Sequence, residues 1–231
     1  MDIDLTRIPY FQGLTEDGLC RVEQAAHRHS YQAGATIFTE GGDCAGFQVV
    51  LEGLVRIYRV NSEGRLHTLS LLRPYSTFNE VAAVDGGANP YNAVAVTSAE
   101  LLTISHERLL RLLASEPALL NNYVQSLAHV NREYIERLED MTFRSIPSRL
   151  AKLFLHESTY ADQISETPTA LTQEEIASIL GTTREVVGRA LRGLLNAGLL
   201  VKKGRNVYIA NRDGLEYLAE TNTMPEPLHA R

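Results

Sequence analysis

Tryptophan is absent from this chain of 231 residues, and cysteine occurs only twice, as Cys20 and Cys44. Two thiols are too few for a disulfide framework and do not have the spacing of a metal-ligand motif, so both are expected to be free and no metal site is expected. A redox role for the pair is the alternative. No run of about 18 apolar residues occurs. The opening MDIDLTRIPYF also lacks the apolar segment of a signal peptide. These absences predict a cytoplasmic protein that does not enter a membrane.

The motifs of enzyme catalysis are missing as well. The chain has no nucleophile elbow, no phosphate-binding glycine loop, no paired-carboxylate motif and no metal-binding spacing. A hydrophobic content of 44% over 231 residues is enough to form real cores, most simply in two domains. We therefore expect a globular protein that is not an enzyme.

The net charge is −6, but the charges are distributed unevenly along the chain. Residues 171–212 contain seven basic and three acidic side chains, whereas residues 1–143 contain eleven basic and eighteen acidic ones. A localised basic segment in an acidic chain is typical of one nucleic-acid-binding face. The C-terminal part is therefore the candidate for contact with double-stranded DNA.

The stretch LTQEEIASILGTTREVVGRALRGLL, which begins at Leu171, has the pattern of two short helices joined by a tight turn. Thr172 is placed to N-cap the first helix, and Gly181 permits the turn. Thr182 or Thr183 then caps the second helix, whose apolar residues recur at helical spacing. This pattern predicts a helix-turn-helix.

The outer face of the second helix carries side chains suited to reading base pairs. Arg184 and Arg189 can each bind guanine O6 and N7 with two hydrogen bonds, and the Glu185 carboxylate can accept a hydrogen bond from cytosine N4. Gly188 lies between them and permits close approach of the helix to the groove. The alternative is that Glu185 and Arg189 form an ordinary surface pair one helical turn apart.

The segment LLVKKGRNVYIAN follows directly and contains two β-prone runs around a turn. It predicts a hairpin wing, with Lys202, Lys203 and Arg205 near its tip in contact with DNA phosphates. The alternative is a solvated charged turn without a ligand.

Residues 34–104 form a succession of short β-rich runs separated by glycine turns. This pattern predicts a closed antiparallel β-roll. Short helices are expected at residues 15–26, beneath the roll, and at residues 106–113.

Residues 117–143 are predicted to form one long helix with a heptad seam of the coiled-coil type. The seam predicts a homodimer, with the polar residue Asn131 fixing the register. The alternative is a monomer that uses the same residues for its own core. The seam residues are Leu120, Val124, Leu127, Asn131, Tyr134, Leu138 and Met141.

These patterns predict an α+β protein with three parts. Residues 1–116 are expected to form the β-roll sensor domain, residues 117–143 the dimerisation helix, and residues 144–231 the winged helix-turn-helix domain. We place the hinge at residues 143–146, followed by a helix from Ser145 to Leu155 and a polar loop over residues 157–170.

The order of roll, long helix and winged helix-turn-helix resembles the cyclic-AMP receptor protein/FNR superfamily of bacterial transcription regulators over nearly the whole chain. The segment TTREVVGRALRGL is similar to the recognition helix of the cyclic-AMP receptor branch, and FRSIPSRLAKLFL resembles the family hinge. The resemblance implies a homodimer that contacts the bases of a palindrome related to TGTGA-N6-TCACA through Arg184, Glu185 and Arg189. It also implies RNA polymerase as a partner.

The sensing pocket departs from the family pattern. Relatives that bind cyclic nucleotides have an FGE element and a later Arg-Ser pair for the phosphate, whereas here Asn79 replaces the glycine between Phe78 and Glu80, and DGGANPYNAVAV contains no arginine. A buried phosphate without a cation loses its strongest hydrogen bonds. Tyr134 and Ile135 also stand where the family's adenine contacts are expected. Cyclic AMP is therefore not expected to be the effector.

Other effectors remain open at the level of sequence. An iron–sulfur cluster is excluded because it needs four thiolates. Haem would need an axial ligand, for which His27, His29 and His67 are the candidates, and some relatives need no ligand. A small organic effector would bind at the pocket residues Phe78, Asn79, Glu80, Tyr91, Asn92 and Tyr134. A different class of function, a ligand-binding module whose helix-turn-helix contacts protein, would not require the paired arginines and the basic wing.

Overall fold

The computed structural model describes residues 4–164, 171–204 and 206–225, with the backbone only for residues 157–164. The chain divides into two compact units, one ending at Tyr134 and one beginning at Ile135. No helix in these described ranges is long and apolar enough to cross a membrane.

The first unit contains a β-roll and the helices that pack on it. Two short 3-10 helices precede the first α-helix. The α-helices are α1 (Glu16–Ala25), α2 (Glu80–Asp85), α3 (His106–Ser115) and the start of α4 (Pro117–Phe143). The strands are β1 (Ala26–Tyr31), β2 (Thr36–Phe38), β3 (Phe47–Glu52), β4 (Val55–Val60), β5 (Leu66–Leu72), β6 (Thr77–Phe78), β7 (Asn92–Ala95) and β8 (Ala99–Ile104).

The strands form two four-stranded antiparallel sheets, in the orders β1-β8-β3-β6 and β2-β7-β4-β5. The predicted β-roll is therefore confirmed. Side chains alternate along β3, so that Val50 packs between the sheets while Val49 and Leu51 pack against the helices. Gly53, with φ +86°, ends the strand where a Cβ atom would overlap the Ser98 carbonyl oxygen.

The roll begins earlier than the sequence pattern predicts. Strand β1 starts at Ala26 rather than after Gly34, and it pairs with β8 along its whole length, from Ala26 opposite Ile104 to Tyr31 opposite Ala99. The four residues in the middle of the strand, HRHS, are all exposed. The sequence of the strand therefore lacks the alternation of apolar residues that would have predicted it. Backbone pairing with β8 stabilises it instead.

Helix α4 has the bounds that the sequence predicts. Leu119 and Tyr123 are buried in the core of the first unit, and the seam residue Leu127 packs against the same core. The other seam residues are exposed in the single chain. The large apolar ones among them are Leu120, Val124, Tyr134, Leu138 and Met141.

The second unit contains α5 (Ile146–Ile164), α6 (Gln173–Leu180), α7 (Arg184–Asn196), β9 (Leu200–Lys203), β10 (Asn206–Ile209) and α8 (Arg212–Thr221). Its core gathers residues from all four helices and from β9, with Leu150, Leu194 and Leu215 fully buried. The two strands pair as the predicted antiparallel hairpin.

The link from α4 to α5 is short, as predicted, and Ser145 Oγ accepts from the Ser148 backbone N–H at 3.4 Å. The end of α5 is wrongly predicted. The helix does not stop at Leu155 but continues to Ile164, into the stretch expected to be a loop. Residues 157–164 are mostly polar but contain neither glycine nor proline, so nothing in them ends a helix. The rest of the expected loop, residues 165–170, lies outside the described residues.

Candidate nucleic-acid interface

Helix α6 begins at a complete capping box. The Oγ1 atom of Thr172 accepts from the Glu175 backbone N–H at 3.2 Å, and Glu175 Oε2 accepts in return from the Thr172 backbone N–H at 2.7 Å. This reciprocal pair satisfies two of the N–H groups that the start of a helix leaves free. The other end of α6 closes at Gly181, which adopts the left-handed conformation with φ 61°.

Thr183 is the N-cap of α7, which resolves the choice between Thr182 and Thr183 that the sequence left open. Thr183 Oγ1 accepts from the Val186 backbone N–H at 3.4 Å, while the backbone N–H of Thr182 donates to the Ala177 carbonyl at 3.0 Å and closes the turn. The inner face of α7, including Val187, is buried against α6 and α5. The predicted helix-turn-helix is therefore confirmed in its helices, turn and caps.

The outer face of α7 presents the three predicted base-reading side chains to solvent. Arg184, Glu185 and Arg189 are all exposed. Within the residues that the structure describes, none of them forms a hydrogen bond or an ion pair, so the alternative Glu185–Arg189 surface pair is not made. Two cations and one carboxylate are thus available to a ligand along one helix.

Two further cations follow α7 closely in the sequence and belong to the wing. Lys202 and Lys203 are exposed on β9, opposite Val207 and Asn206 of β10. The Lys203 Nζ atom lies 5.5 Å from the centre of the Tyr208 ring. Arg205, the third predicted phosphate contact, lies outside the described residues.

Sequence reasoning missed one cation on the same helix. Arg192 is exposed, seven residues after Glu185 and therefore nearly two full turns along the same stripe of α7. That spacing was visible in the sequence and could have identified it.

The predicted effector pocket lies in the roll, and most of its residues serve the packing of the roll itself. Phe78 and Tyr91 are buried between the sheets, and the Phe38 ring lies 5.9 Å from the Phe78 ring and 6.0 Å from the Tyr91 ring, centre to centre. Asn92, on β7, holds the turn that follows β2, since its Oδ1 accepts from the Glu40 backbone N–H at 3.1 Å.

Asn79 is buried at the start of α2 in the left-handed conformation, with φ 65°. Its backbone N–H donates to the Tyr91 hydroxyl at 2.7 Å. Its side-chain amide donates at 3.0 Å to the Gly46 carbonyl and at 3.0 Å to Asn89 Oδ1. The position that the family pattern gives to glycine is therefore occupied by a side chain bound within the chain.

Glu80 lies beside this network among hydroxyl groups. Its Oε1 accepts from the Thr77 hydroxyl at 2.8 Å, and burial raises the pKa of the carboxyl. The Tyr123 hydroxyl donates to the Glu80 carbonyl at 2.7 Å, and burial likewise raises the pKa of Tyr123. Tyr134, the last predicted pocket residue, is half-exposed on α4. This arrangement favours a neutral carboxyl and offers no cation to an anion.

The candidate haem ligands do not lie in an apolar pocket. His27 and His29 are exposed on β1, and His27 Nε2 lies 2.6 Å from Arg108 Nη1. His67 is half-buried on β5. No group of three or more His, Cys, Asp or Glu residues that could hold a metal ion occurs in the described part of the chain.

The β-roll with its long helix and the winged helix-turn-helix with a free cationic face together define a DNA-binding transcription regulator. Comparison with known proteins gives the family. A cyclic nucleotide-binding domain model matches residues 28–116, and a Crp-like helix-turn-helix domain model matches residues 148–218. The chain belongs to the CRP/FNR family of transcription regulators.

Relatives match over most of their own length. The CRP-like cAMP-activated global transcriptional regulator of Mycobacterium tuberculosis is 27% identical over 93% of this chain and 98% of its own. The cyclic AMP receptor protein of Thermus thermophilus is 30% identical over 83% of this chain and 88% of its own. A crystal structure of a CRP/FNR-family regulator from Thermus thermophilus matches with a TM-score of 0.68 and 28% identity, over 85% of this chain and 100% of that one. The resemblance predicted from the sequence is thus confirmed at the level of the family.

Proposed function

We propose that this regulator is a homodimer that reads a palindrome related to TGTGA-N6-TCACA. Arg184, Glu185 and Arg189 supply the base contacts, and Gly188 allows α7 to approach the groove. The observation that carries the proposal is the exposed outer face of α7, where three charged side chains have no partner in the described residues. A helix-turn-helix used only for protein contact does not need this arrangement.

The phosphate contacts come from groups around that face. Thr172 and Thr183 cap the starts of α6 and α7, and Thr182 lies in the turn between the two helices. Backbone N–H groups at the start of a helix favour anions. Lys202 and Lys203, with Arg205 beyond the described residues, supply charge from the wing. These groups position the protein on the duplex without reading its sequence.

The homodimer is supported by the apolar stripe of α4. Val124 is 59% exposed, Leu138 64% and Met141 54%. Large apolar side chains at heptad spacing on one exposed stripe are typical of a coiled-coil seam. A second copy of the same helix would cover them, and Asn131 would fix the register. Two copies of the reading helix would then face two half-sites of one palindrome.

The roll is proposed to act without cyclic AMP, although relatives are named as cAMP-activated. The Asn79 backbone N–H, at the start of α2, is already bound by the Tyr91 hydroxyl, and the Phe38, Phe78 and Tyr91 rings fill the space between the sheets. A cyclic nucleotide would have to displace this packing, and its phosphate would find no arginine in residues 85–96. We favour effector-independent binding to DNA. A small uncharged effector beside Glu80 and Tyr134 is the second candidate.

The regulator is further proposed to act in the cytoplasm and to contact RNA polymerase, as control of transcription requires. Its relatives are transcription regulators rather than enzymes. Cys20 and Cys44 are free thiols, and Cys20 is exposed.

A titration of labelled duplexes followed by fluorescence anisotropy tests the proposed function. The full-length protein is expected to bind the TGTGA palindrome far more tightly than a scrambled duplex of equal length, with and without cyclic AMP. Equal affinities for the two duplexes would contradict the base contacts. Tight binding only in the presence of cyclic AMP would contradict effector independence alone.

A further inference from the structure

Two polar side chains from different helices flank Gly188 on the outer face of α7. A Cβ atom built on Gly188 would lie 3.4 Å from Oε1 of Gln173, in the first turn of α6, and 3.7 Å from Nη1 of Arg192. Both are ordinary van der Waals distances. The two side chains therefore cover the glycine, which explains why Gly188 is buried although its neighbours Glu185 and Arg189 are exposed.

The Arg192 guanidinium belongs to the same surface as the proposed base contacts. It follows Glu185 by seven residues and Arg189 by three, which places all three on neighbouring positions of one helix face. It is exposed, and in the ranges that the structure describes it makes no hydrogen bond and no ion pair. Nothing within the described residues of the second unit uses this charge.

We propose that the Arg192 guanidinium and the Gln173 amide together bind one phosphate group of the DNA backbone. The proposal rests on the DNA-reading face proposed above and adds a contact that neither the sequence patterns nor the capping residues supply. A guanidinium presents N–H donors in a fixed fork. The Gln173 Oε1 atom faces Gly188, and rotation of the amide brings its NH₂ group, with two more donors, to the same place. Hydrogen bonds from a cation to phosphate are short and strong. The pair can therefore hold one phosphate group from two helices at once.

The position of Arg192 along α7 favours a phosphate over a base. At about 1.5 Å per residue, Arg192 lies about 12 Å beyond Arg184 along the helix axis. The major groove is itself only about 12 Å wide. The N-terminal residues of a recognition helix contact base edges, and the preceding helix crosses the backbone. Gln173 begins that preceding helix, so in the proposed complex its amide and Arg192 would both face the groove wall, where the phosphates lie.

The salt dependence of binding is the first test. Affinity of the full-length protein for the palindrome and for a scrambled duplex is measured by anisotropy over a series of salt concentrations. Arg192→Gln is expected to weaken binding to both duplexes by the same factor, about tenfold or more at low salt. The slope of log affinity against log salt should become shallower by about 0.9 for each phosphate that the variant no longer neutralises. Arg212→Gln, which removes an exposed arginine of α8 that pairs with Glu216, is the control and should leave the slope unchanged.

A duplex with one neutral methylphosphonate in each half-site locates the contact. One such substitution per half-site is expected to weaken the wild-type protein by about the same factor as Arg192→Gln, and to have no further effect on that variant. Gln173→Ala should reduce the effect of the same methylphosphonate. If the Arg192 charge only stabilised the fold, neutralising one phosphate would weaken DNA binding by the same factor in the wild type and in Arg192→Gln.

The outcomes separate this inference from the proposed function. If the palindrome is preferred but Arg192→Gln changes neither affinity nor slope, or if no phosphate position is coupled to Arg192, the inference is overturned. A loss confined to the palindrome would make Arg192 a base reader, which also overturns it. A third outcome is that the wild-type protein shows no preference for the palindrome while Arg192→Gln still lowers the affinity and makes the salt dependence shallower. That result would contradict the proposed target sequence and leave the phosphate contact standing.

Discussion

In the second unit, Arg184, Glu185 and Arg189 are exposed and find no partner in the described residues, whereas in the first unit most polar groups of the sensing region bind one another. The exception is the buried Asn79 Oδ1, which has no hydrogen-bond partner in the described residues. The Asn79 backbone N–H donates to the Tyr91 hydroxyl, and the Asn79 amide donates to two further acceptors. Hydrogen-bonding groups that are already satisfied by their own chain gain little from a ligand, while unpaired exposed charges are free to bind one. The contrast suggests a reader that is ready for DNA and a roll whose interior serves stability.

The largest effect is expected from breaking the apolar seam. Leu138→Glu places a charge on the exposed stripe of α4, where a partner helix would desolvate it. We expect loss of the dimer by native mass spectrometry and loss of palindrome binding by a factor of at least about 100, with the fold of each chain intact. Gln125→Glu adds the same charge off the seam and should change neither property. A Leu138→Glu variant that remains dimeric would show that the seam is not the interface.

Arg189→Ala should cost about 1–3 kcal/mol of binding free energy per half-site and relax the preference at one base pair. The measurement is a comparison of duplexes that carry each base pair at each half-site position. The melting temperature should stay close to that of the wild type, because the side chain has no partner in the described residues. An unchanged base preference would remove Arg189 from the reading set.

Tyr91→Phe should show the opposite pattern. The substitution keeps the ring but leaves the buried Asn79 N–H without its acceptor, which costs about 1–3 kcal/mol of unfolding free energy. Affinity for the palindrome should not change. Urea unfolding measures the first effect, and Tyr217→Phe, at a half-exposed site on α8, is the control that should cost little. A loss of DNA affinity in Tyr91→Phe without a loss of stability would give the roll an active role in DNA binding.

The smallest effect is expected at Gly188. Here the room that the missing side chain leaves for DNA can be separated from the conformational cost of a glycine within α7. Gly188→Ala and Gly193→Ala both remove a glycine from α7 and should each stabilise the helix by about 0.5–1 kcal/mol. Only the methyl at Gly188 would touch Gln173 and Arg192, since a Cβ on Gly193 meets nothing within 4 Å. We expect a several-fold loss of affinity from Gly188→Ala and none from Gly193→Ala. Equal affinities would show that close approach at Gly188 is not needed.

The helix-turn-helix was predictable because the residues that specify it act locally in the sequence. Thr172 and Gly181 mark the two ends of α6, and Thr183 marks the start of α7. All three lie within a dozen residues of chain, and each acts on its nearest neighbours. The same is true of α4, which begins at Pro117 and keeps its periodicity to Phe143. Caps and periodicity are properties of a segment, so a single sequence carries them.

The features that sequence reasoning missed depend on partners far away in the chain. Strand β1 has no apolar pattern of its own and forms because β8 lies beside it. The Asn79 amide reaches Gly46 and Asn89, which the chain brings together only when the roll has closed. The continuation of α5 past Leu155 was missed for a different reason, because polar residues without glycine or proline permit both a loop and a helix.

The most direct test of the account is a change of the spacing between half-sites. Binding of the full-length protein is measured for the TGTGA palindrome and for a duplex in which about 5 additional base pairs, roughly half a helical turn, separate the same half-sites. Two reading helices fixed by one seam should lose nearly all specific affinity for the second duplex, because its half-sites face opposite sides of the DNA. Equal affinity for the two duplexes would contradict a dimer that reads both half-sites at once.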